Sequence, residues 1–376
     1  MKILMQIRAN AFTCSGGDTI QMQKTRDALI ALGYDVDVSL ELRPDLSQYD
    51  VVHLFNITRV QETFIQIQNA VEQKKPVALS TIYWPFTEFE KHANVGIRGL
   101  FGKLLSVDQL ASLKAIAKYL LLGERDEGTR HLMRHSYSDM QRYILEHADV
   151  YLPNAYEEMV QIEKNLQFSA DPEKVVVVPN AINVSAAKAA LEHPTDKYDA
   201  YRDWLICVGR IDTRKNQLKL LDAIEGSDYR LLLVGKCSPG QQKYSKKVMQ
   251  RIKGNPNIQY IEQIPNDELY QLYRVCKVSV LPSWFETPGL VSLEAAVMGC
   301  NIVVSDRGTT KDYFGDYAFY CDTMSSKSIR EQIDKAYAAP YDESFRQKIM
   351  TEYTWEKAAR ATAEGYERSL GKVNGD

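Results

Sequence analysis

A chain of 376 residues is longer than one hydrophobic core usually serves, so we expect two domains. The hydrophobic fraction of 45% and the charged fraction of 25% are those of ordinary globular proteins, which excludes the disordered, collagen-like and fibrous classes. A formal net charge of only -3 excludes a global basic field, and we expect no nucleic-acid partner.

The remaining composition indicates a cytoplasmic protein. Six cysteines are scattered without a C-x-x-C pair, which favours a reducing compartment over a zinc site or a disulfide framework. Residues 1–8 form too short an apolar run for a signal peptide and are interpreted as a first strand. Nothing approaches the roughly 18 uninterrupted apolar residues that a membrane-spanning helix needs.

Short apolar runs alternate with helix-length segments, which predicts parallel strands with helices between them. In the first half, helices are predicted over 20–32 and 63–73. The pattern becomes irregular across 186–202, where we place the domain boundary, giving domains at 1–190 and 200–354. The predicted strands are 3–7, 36–40, 51–55, 77–82, 150–153 and 175–179, then 204–208, 231–234, 258–261, 278–281 and 302–305.

These patterns predict an α/β fold of two doubly wound, Rossmann-like domains. Open parallel sheets bind ligands beyond the carboxyl ends of their strands, so two such domains that face each other would hold a substrate in the cleft between them. We therefore expect the functional residues in the loops that follow strands.

The loop at 209–217 connects a predicted strand to a helix and is basic. A helix start carries about half a positive charge, and Arg210 and Lys215 add to it, so the loop suits a diphosphate group. Arginine can bind two oxygens at once, whereas lysine contributes a point charge. On the loop alone, two solvated surface cations are an equally good interpretation.

A second loop carries two glutamates, Glu286 and Glu294, with seven residues between them. Glu286 precedes a predicted helix and Glu294 lies about two turns inside it, so the pair can reach two parts of one elongated ligand. Gly289 allows close approach of the backbone, and the amides of Leu290 and Val291 at the helix start can meet phosphate oxygens. Favourable contact with the helix dipole would explain Glu294 without a ligand, but it does not explain Glu286.

This pattern resembles the E-x7-E motif of glycosyltransferase family 4, a family of retaining enzymes with the GT-B fold. The resemblance implies that Arg210 and Lys215 bind the donor diphosphate, Glu286 contacts the donor sugar and Glu294 holds the ribose. Catalysis would then rest on the first three of these residues. The donor-binding residues implied together are Gly16, Gly17, Arg210, Lys215, Glu286, Gly289, Leu290, Val291 and Glu294.

The resemblance is strong from about residue 204 onward, and Gly16-Gly17 resembles the glycine-rich first loop of the family. It also implies that a closing helix at about 355–372 crosses back to the N-terminal domain, which would bind the acceptor. Two segments depart from the family. Residues 308–312 replace its two glycines and glutamate, and Tyr83 and Trp84 stand where a histidine is common.

The acceptor side is less well marked. Parallel strands place His53, Asn56, Tyr83 and Trp84 near the expected cleft, although a lone histidine is more often structural. Because cationic residues would stabilise the leaving diphosphate, we expect no metal and no cofactor beyond the nucleotide sugar as co-substrate. The Asp35-Val36-Asp37 triplet resembles a metal-binding D-x-D pair but enters an alternating strand, which favours an exposed strand face.

The stretch 97–122 has apolar residues at helical spacing, interleaved with lysine and arginine. It either faces its own core or lies on the inner membrane surface as a peripheral contact at the cytoplasmic face. A segment inside a globular domain more often faces its own core, and we favour that interpretation.

The resemblance implies a metal-independent, retaining hexosyltransferase that moves a sugar from a UDP- or GDP-sugar to a glycan or lipid-linked glycan. Similar enzymes are common in bacterial surface polysaccharide and lipopolysaccharide biosynthesis. A dehydrogenase is disfavoured because residues 13–18 lack G-x-G-x-x-G, and a non-catalytic sugar-binding protein would be expected to lack one of the motif residues. A GT-B-fold glycoside phosphorylase or sugar-nucleotide epimerase is the nearest alternative.

Overall fold

A computed structural model describes residues 1–13, 16–85, 89, 107–117, 127–238 and 240–371. The strands are β1 (Lys2–Gln6), β2 (Asp35–Ser39), β3 (Val51–Phe55), β4 (Val77–Ser80), β5 (Val150–Tyr151), β6 (Leu205–Val208), β7 (Leu231–Val234), β8 (Ile258–Ile261), β9 (Val278–Leu281), β10 (Asn301–Ser305) and β11 (Ala318–Cys321). The helices are α1 (Gly17–Ala31), α2 (Val60–Glu72), α3 (Val107–Ala117), α4 (Glu127–Arg134), α5 (Tyr137–Glu146), α6 (Tyr156–Leu166), α7 (Val184–Glu192), α8 (Gln217–Ile224), α9 (Gln242–Ile252), α10 (Asn266–Val275), α11 (Leu290–Val297), α12 (Thr310–Phe314), α13 (Ser326–Ala338), α14 (Glu343–Glu352) and α15 (Trp355–Ser369).

The chain divides into two units, and each contains one parallel sheet. The first unit comprises Met1–Asn180 and Trp355–Asp376, and its sheet has the order β2-β1-β3-β4-β5. The second unit comprises Ala181–Thr354, and its sheet has the order β11-β10-β9-β6-β7-β8. Every strand pair in both sheets is parallel, which confirms the predicted doubly wound α/β class.

The first sheet is buried on both faces because its residues alternate between two apolar cores. Leu4 and Leu54 join one core, together with residues of α2, α5 and α6. Ile3 and Met5 join the other core, together with residues of α1 and α15. A period of two residues along each strand produces this division, and burial on both faces explains why the strands are continuous apolar runs.

The structure differs from the sequence predictions at three places in the fold. Residues 175–179 form no strand and contribute only an isolated bridge between Val175 and Tyr151. Strand β11, which lies at the edge of its sheet with mostly half-buried residues, was not predicted. The first unit ends at Asn180 rather than at 190, since α7 belongs to the second unit.

Helix α7 lies in the stretch that the sequence pattern presented as irregular. Its sequence is rich in alanine, the residue with the highest helix propensity, and the side chain of Asn183 caps it by accepting a hydrogen bond from the Ala186 N–H at 3.1 Å. The helix packs against α10. The mixed composition of residues 186–202 suggested a linker, whereas the helix propensity of alanine and the Asn183 cap favour a helix there.

His53 is a core residue rather than a cleft residue. It lies in the middle of β3 and is 1% exposed. Its Nδ1 lies 2.7 Å from the Tyr366 hydroxyl and its Nε2 lies 2.9 Å from the Ser80 hydroxyl. Burial lowers the pKa of His53 to about 3, so the ring is neutral at physiological pH. The hypothesis that His53 is an acceptor-side group is therefore corrected: the ring joins α15 to the sheet.

The stretch 97–122 is described only over α3. Within this helix Leu113 and Ile116 are 52% and 40% exposed, and its Asp108 carboxylate accepts a hydrogen bond from the Ser138 N–H at 2.7 Å. The rest of the stretch lies outside the described residues, so its contact with a membrane or with the core stays a prediction. Among the described helices, none combines the length and the apolar character that crossing a bilayer requires.

Removal of the Tyr366 hydroxyl tests whether its hydrogen bond to His53 stabilises the packing of α15 on the sheet. Tyr366→Phe keeps the ring but leaves a buried imidazole nitrogen without this partner, so the free energy of unfolding should fall by about 1–3 kcal/mol. Urea titration measures this change. Tyr156→Phe is the matched control, because Tyr156 is 70% exposed and its loss should change stability by less than about 0.5 kcal/mol. Equal stabilities of the two variants would contradict the structural role.

Candidate functional site

The loop after β6 is fixed in place by its neighbours. Asp212 accepts a hydrogen bond from the Lys215 N–H at 3.1 Å and another from the Ser238 hydroxyl at 3.1 Å. A Cβ on Gly235, whose φ is 140°, would lie 2.2 Å from the Gly209 carbonyl oxygen. Any larger residue at position 235 would displace this loop. Arg210, at its tip, is exposed.

Lys215 and Glu286 form a buried ion pair. The Lys215 ammonium donates to Glu286 Oε1 at 2.6 Å, and the two residues are 8% and 5% exposed. Burial by itself would raise the pKa of Glu286, but the charges of Lys215 and Arg214 and the Lys215 hydrogen bond outweigh it and hold the pKa below its usual value. Two residues that the E-x7-E resemblance assigned to the donor diphosphate and the donor sugar are therefore in direct contact.

The Glu286 loop is held from the side of β10 as well. The Glu286 carbonyl accepts a hydrogen bond from the Thr309 N–H at 2.9 Å, and Glu286 and Gly308 form a parallel bridge. A Cβ on Gly308, whose φ is 91°, would lie 2.0 Å from the Glu286 carbonyl oxygen. Gly308 is therefore required for close contact between two loops, although the segment 308–312 departs from the family pattern.

Sequence reasoning missed Asn216. This residue adopts a left-handed conformation with φ 59° at the start of α8, and its side-chain amide donates to the carbonyls of Pro282 at 3.2 Å and Thr323 at 2.9 Å. It thereby ties the loop after β6 to the loops after β9 and β11. An asparagine before a helix is a local signal for a left-handed residue, but its partners lie 66 and 107 residues away and leave no trace in the sequence.

The remaining residues that were predicted to bind the sugar donor lie at the start of α11. Gly289 has φ 85° and immediately precedes Leu290, the first residue of the helix. Val291 and Glu294 follow and are half-buried. Burial raises the pKa of Glu294 to about 7, so this carboxyl group titrates near neutrality.

In the first unit, the predicted glycines lie at the start of α1. Gly17 begins the helix, and a Cβ on Gly16 would lie 2.8 Å from Asp18 Oδ1. The Arg8 guanidinium donates to both Asp18 carboxylate oxygens, at 2.7 and 3.0 Å. Burial opposes ionisation of Asp18, but the Arg8 hydrogen bond and charge hold its pKa below the usual value. This ion pair occupies the space that a side chain at position 16 would need.

Asn56 and Tyr83 follow neighbouring strands at the carboxyl edge of the first sheet. Asn56 has φ 81°, and its side-chain oxygen accepts a hydrogen bond from the Thr58 N–H at 2.9 Å. Tyr83 is 5% exposed, and burial raises the pKa of its hydroxyl to about 12. Trp84 is half-buried next to it.

Glu158 is a second residue that sequence reasoning missed. It is completely buried near the start of α6, and its Oε1 accepts a hydrogen bond from the Tyr83 N–H at 2.8 Å. Burial raises its pKa to about 7, against the opposing effect of the hydrogen bonds that it accepts. One acidic residue at the start of a helix is common, so no signal distinguished it.

The structure therefore brings Lys215, Glu286, Gly289 and Gly308 together in the second unit, and Asn56 and Tyr83 onto one edge of the first. Asp35 and Asp37 lie elsewhere, at edge strand β2, where Lys2 approaches them at 3.9 and 3.5 Å. Within the described residues, no group of three or more His, Cys, Asp or Glu side chains is arranged to hold a metal ion.

Comparisons with known proteins find glycosyltransferases among the similar sequences. The chain is 22% identical to the serotype-specific mannosyltransferase WbdA of Escherichia coli. The aligned region covers 59% of this chain but only 26% of WbdA, so the chain spans about a quarter of the length of that protein. It is 23% identical to an uncharacterized glycosyltransferase of Methanocaldococcus jannaschii, over 94% of this chain and 95% of the other.

Among solved structures, sucrose-phosphate synthase from Thermosynechococcus elongatus superimposes with a TM-score of 0.70 at 16% identity, covering 99% of both chains. This likeness confirms the GT-B fold. Residues 196–354, which contain Arg210, Lys215, Glu286 and Glu294, match the model of the family described as glycosyl transferases group 1. By this match, residues 196–354 are similar to the glycosyl transferases group 1 family, and the match covers less than half of the chain.

Proposed function

We propose that this protein is a retaining, metal-independent glycosyltransferase that moves a hexose-type sugar from a UDP- or GDP-sugar to a glycan or lipid-linked glycan acceptor. The observation that carries the proposal is the buried Lys215–Glu286 pair at 2.6 Å, together with the exposed Arg210 in the loop after β6 that also carries Lys215. The similarity to a mannosyltransferase supports a hexose donor and a role in surface polysaccharide or lipopolysaccharide assembly. The enzyme would act in the cytoplasm, where nucleotide sugars are the co-substrates.

The proposed roles of the site residues follow from the negative charge that develops on the leaving diphosphate. Cleavage of the bond between the sugar and the diphosphate places negative charge on the leaving group, and fixed cations aimed at it stabilise the transition state more than the ground state. Arg210 and Lys215 would supply this charge, which makes a metal unnecessary. Glu286, oriented by Lys215, would contact the donor sugar, and Glu294 would accept hydrogen bonds from the ribose hydroxyls.

Retention of configuration would follow if the acceptor attacks from the face that the leaving group vacates. The candidate contacts for the acceptor are Asn56, Tyr83 and Trp84 of the first unit. As the glycosidic bond forms and the bond between the sugar and the diphosphate breaks, an oxygen of the departing diphosphate, held by Arg210 and Lys215, would accept the proton of the acceptor hydroxyl. Analysis of the product anomer by NMR tests retention directly, and an inverted product would contradict it.

The first test is a calorimetric screen of UDP, GDP, ADP and their sugar conjugates with a chelator present. One nucleotide series should bind the wild type.

Arg210→Ala should lower sugar transfer by roughly a hundredfold to a thousandfold, or about 2.7–4 kcal/mol of transition-state stabilisation. Arg251→Ala is the matched control, because within the described part of the chain Arg251 makes surface ion pairs alone, with Asp222 in α8 and with Glu225 just beyond its end. Failure of every nucleotide to bind would sink the proposal, and phosphate-dependent cleavage or epimer formation would favour the alternatives.

Gly308 offers a second test, because its contact with the Glu286 backbone leaves no room for a methyl group. Gly308→Ala should displace Glu286 and reduce turnover by about a hundredfold. Gly226→Ala is the matched control: Gly226 has φ 68° but open space around it, so this variant should lose about 1–2 kcal/mol of stability and keep its activity. Equal turnover of the two variants would show that Glu286 need not hold its position.

Glu294 predicts a pH dependence of nucleotide binding. Its raised pKa of about 7 means that the carboxyl is mostly protonated at pH 6 and ionised at pH 8, and only the ionised form accepts hydrogen bonds from both ribose hydroxyls. Affinity for the nucleoside diphosphate should therefore rise as pH increases from 6 to 8. Calorimetry of Glu294→Gln, which cannot titrate, provides the baseline for ionisation of the ligand phosphate. Identical pH profiles for the two proteins would remove Glu294 from the ribose site.

A further inference from the structure

The carboxylate of Glu158 accepts hydrogen bonds from two loops at the carboxyl edge of the first sheet. Its Oε1 accepts from the Tyr83 N–H at 2.8 Å and from the Thr81 hydroxyl, and both donors follow β4. Its Oε2 accepts from the Asn154 N–H at 3.0 Å, which follows β5. Glu158 is 0% exposed, and its position near the start of α6 adds the favourable end of the helix dipole.

The loop that Glu158 holds has a backbone that would not adopt its conformation unaided. Ile82, between the two residues that donate to Oε1, has φ 44°. A β-branched residue in the left-handed region is strained and persists only where its surroundings fix it. The Glu158 carboxylate supplies these constraints on both sides of Ile82, and Tyr83 and Trp84 follow directly.

The same carboxylate connects this loop to the start of α1. Asn154, whose N–H donates to Glu158, accepts a hydrogen bond through its side-chain oxygen from the Gln21 amide at 2.7 Å. The Gln21 side-chain oxygen in turn accepts from the Asn180 amide at 3.2 Å. Gln21 lies one turn into the helix that begins at Gly17. A chain of buried hydrogen bonds therefore joins the loop of Tyr83 to the helix that carries the glycine pair.

A buried carboxylate is a costly way to stabilise a fold, because apolar side chains of similar volume serve as well or better. Glu158 lies at the edge where parallel sheets bind ligands, beneath the two residues that are candidates for contact with the acceptor. A carboxyl group can accept from the Tyr83 and Asn154 N–H groups at once, whereas an amide would turn one N–H toward another N–H.

We propose that Glu158 is the positioning residue of the acceptor-side loop: its carboxylate holds the peptide of Tyr83, and with it Trp84, in the conformation that receives the acceptor. This inference rests on the proposed function for the identity of the acceptor side. Glu158 itself is buried and would touch neither the donor nor the acceptor.

The decisive variant is Glu158→Gln, with Glu157→Gln as its matched control: the same change one residue earlier on the same helix, where the Glu157 side chain is half-buried and accepts from Gln161 at 2.8 Å. Three quantities are measured. They are hydrogen exchange of the Tyr83 and Asn154 amides, calorimetric affinity for UDP and GDP, and release of these nucleotides from UDP-glucose and GDP-mannose with a panel of oligosaccharide acceptors.

Glu158→Gln should speed exchange of both amides about tenfold and raise the acceptor KM about tenfold, which corresponds to the loss of one charged hydrogen bond. Nucleotide affinity should stay within about twofold of the wild type. Thr81→Val removes a single donor to the same carboxylate and should give the same pattern at smaller size, so it serves if Glu158→Gln does not fold.

Unchanged exchange at Tyr83 would overturn the proposal, and so would a parallel loss of nucleotide affinity and transfer, which would indicate a general loss of structure. A change in kcat with the acceptor KM unaltered would also count against it. If the wild type neither binds a nucleotide nor transfers a sugar, the proposed function fails, but hydrogen exchange still decides whether Glu158 holds the loop.

Discussion

The buried ion pair between Lys215 and Glu286 is the constraint on which the second unit depends. Two opposite charges removed from water cost several kcal/mol each unless their geometry is close and their remaining donors and acceptors are satisfied. The pair has a contact of 2.6 Å, but the two residues lie 71 positions apart on loops after different strands. The pair is therefore stable only if the surrounding backbone fixes both loops relative to each other.

The surrounding contacts do this with backbone rather than with long side chains. The Trp284 N–H donates to the Arg214 carbonyl at 2.8 Å, one residue before Lys215, and the Thr309 N–H donates to the Glu286 carbonyl at 2.9 Å. Asn216 adds two side-chain hydrogen bonds to the carbonyls of Pro282 and Thr323. Because short backbone contacts have little freedom, the two charges are oriented before any ligand arrives, which is the condition for electrostatic catalysis without reorganisation.

Much of the fold was predictable because strands buried on both faces are continuous apolar runs, and the loops after them carry the motif residues. The failures have physical causes. His53 occupies the kind of position where cleft residues are expected, but its partner Tyr366 lies 313 residues away, and no local pattern shows that the ring is enclosed. The residues Asn216, Gly308 and Glu158 act through contacts between loops. Sequence reasoning identified the loops but could not show which residues join them.

The pairing of Lys215 also changes which residue attracts the ligand. A lysine neutralised by a carboxylate at 2.6 Å contributes little net charge at a distance, so the long-range field of the loop comes from Arg210, Arg214 and the start of α8. In the proposed function Lys215 would contribute at short range, where a diphosphate oxygen would approach its ammonium group while Glu286 stays bound to it. The exposed Arg210 would then govern capture of the diphosphate, whereas Lys215 would govern its alignment with the sugar contact at Glu286. The same two cations that appear equivalent in the sequence would thus have different roles in the proposed reaction, because one is exposed and the other is buried beside an acid.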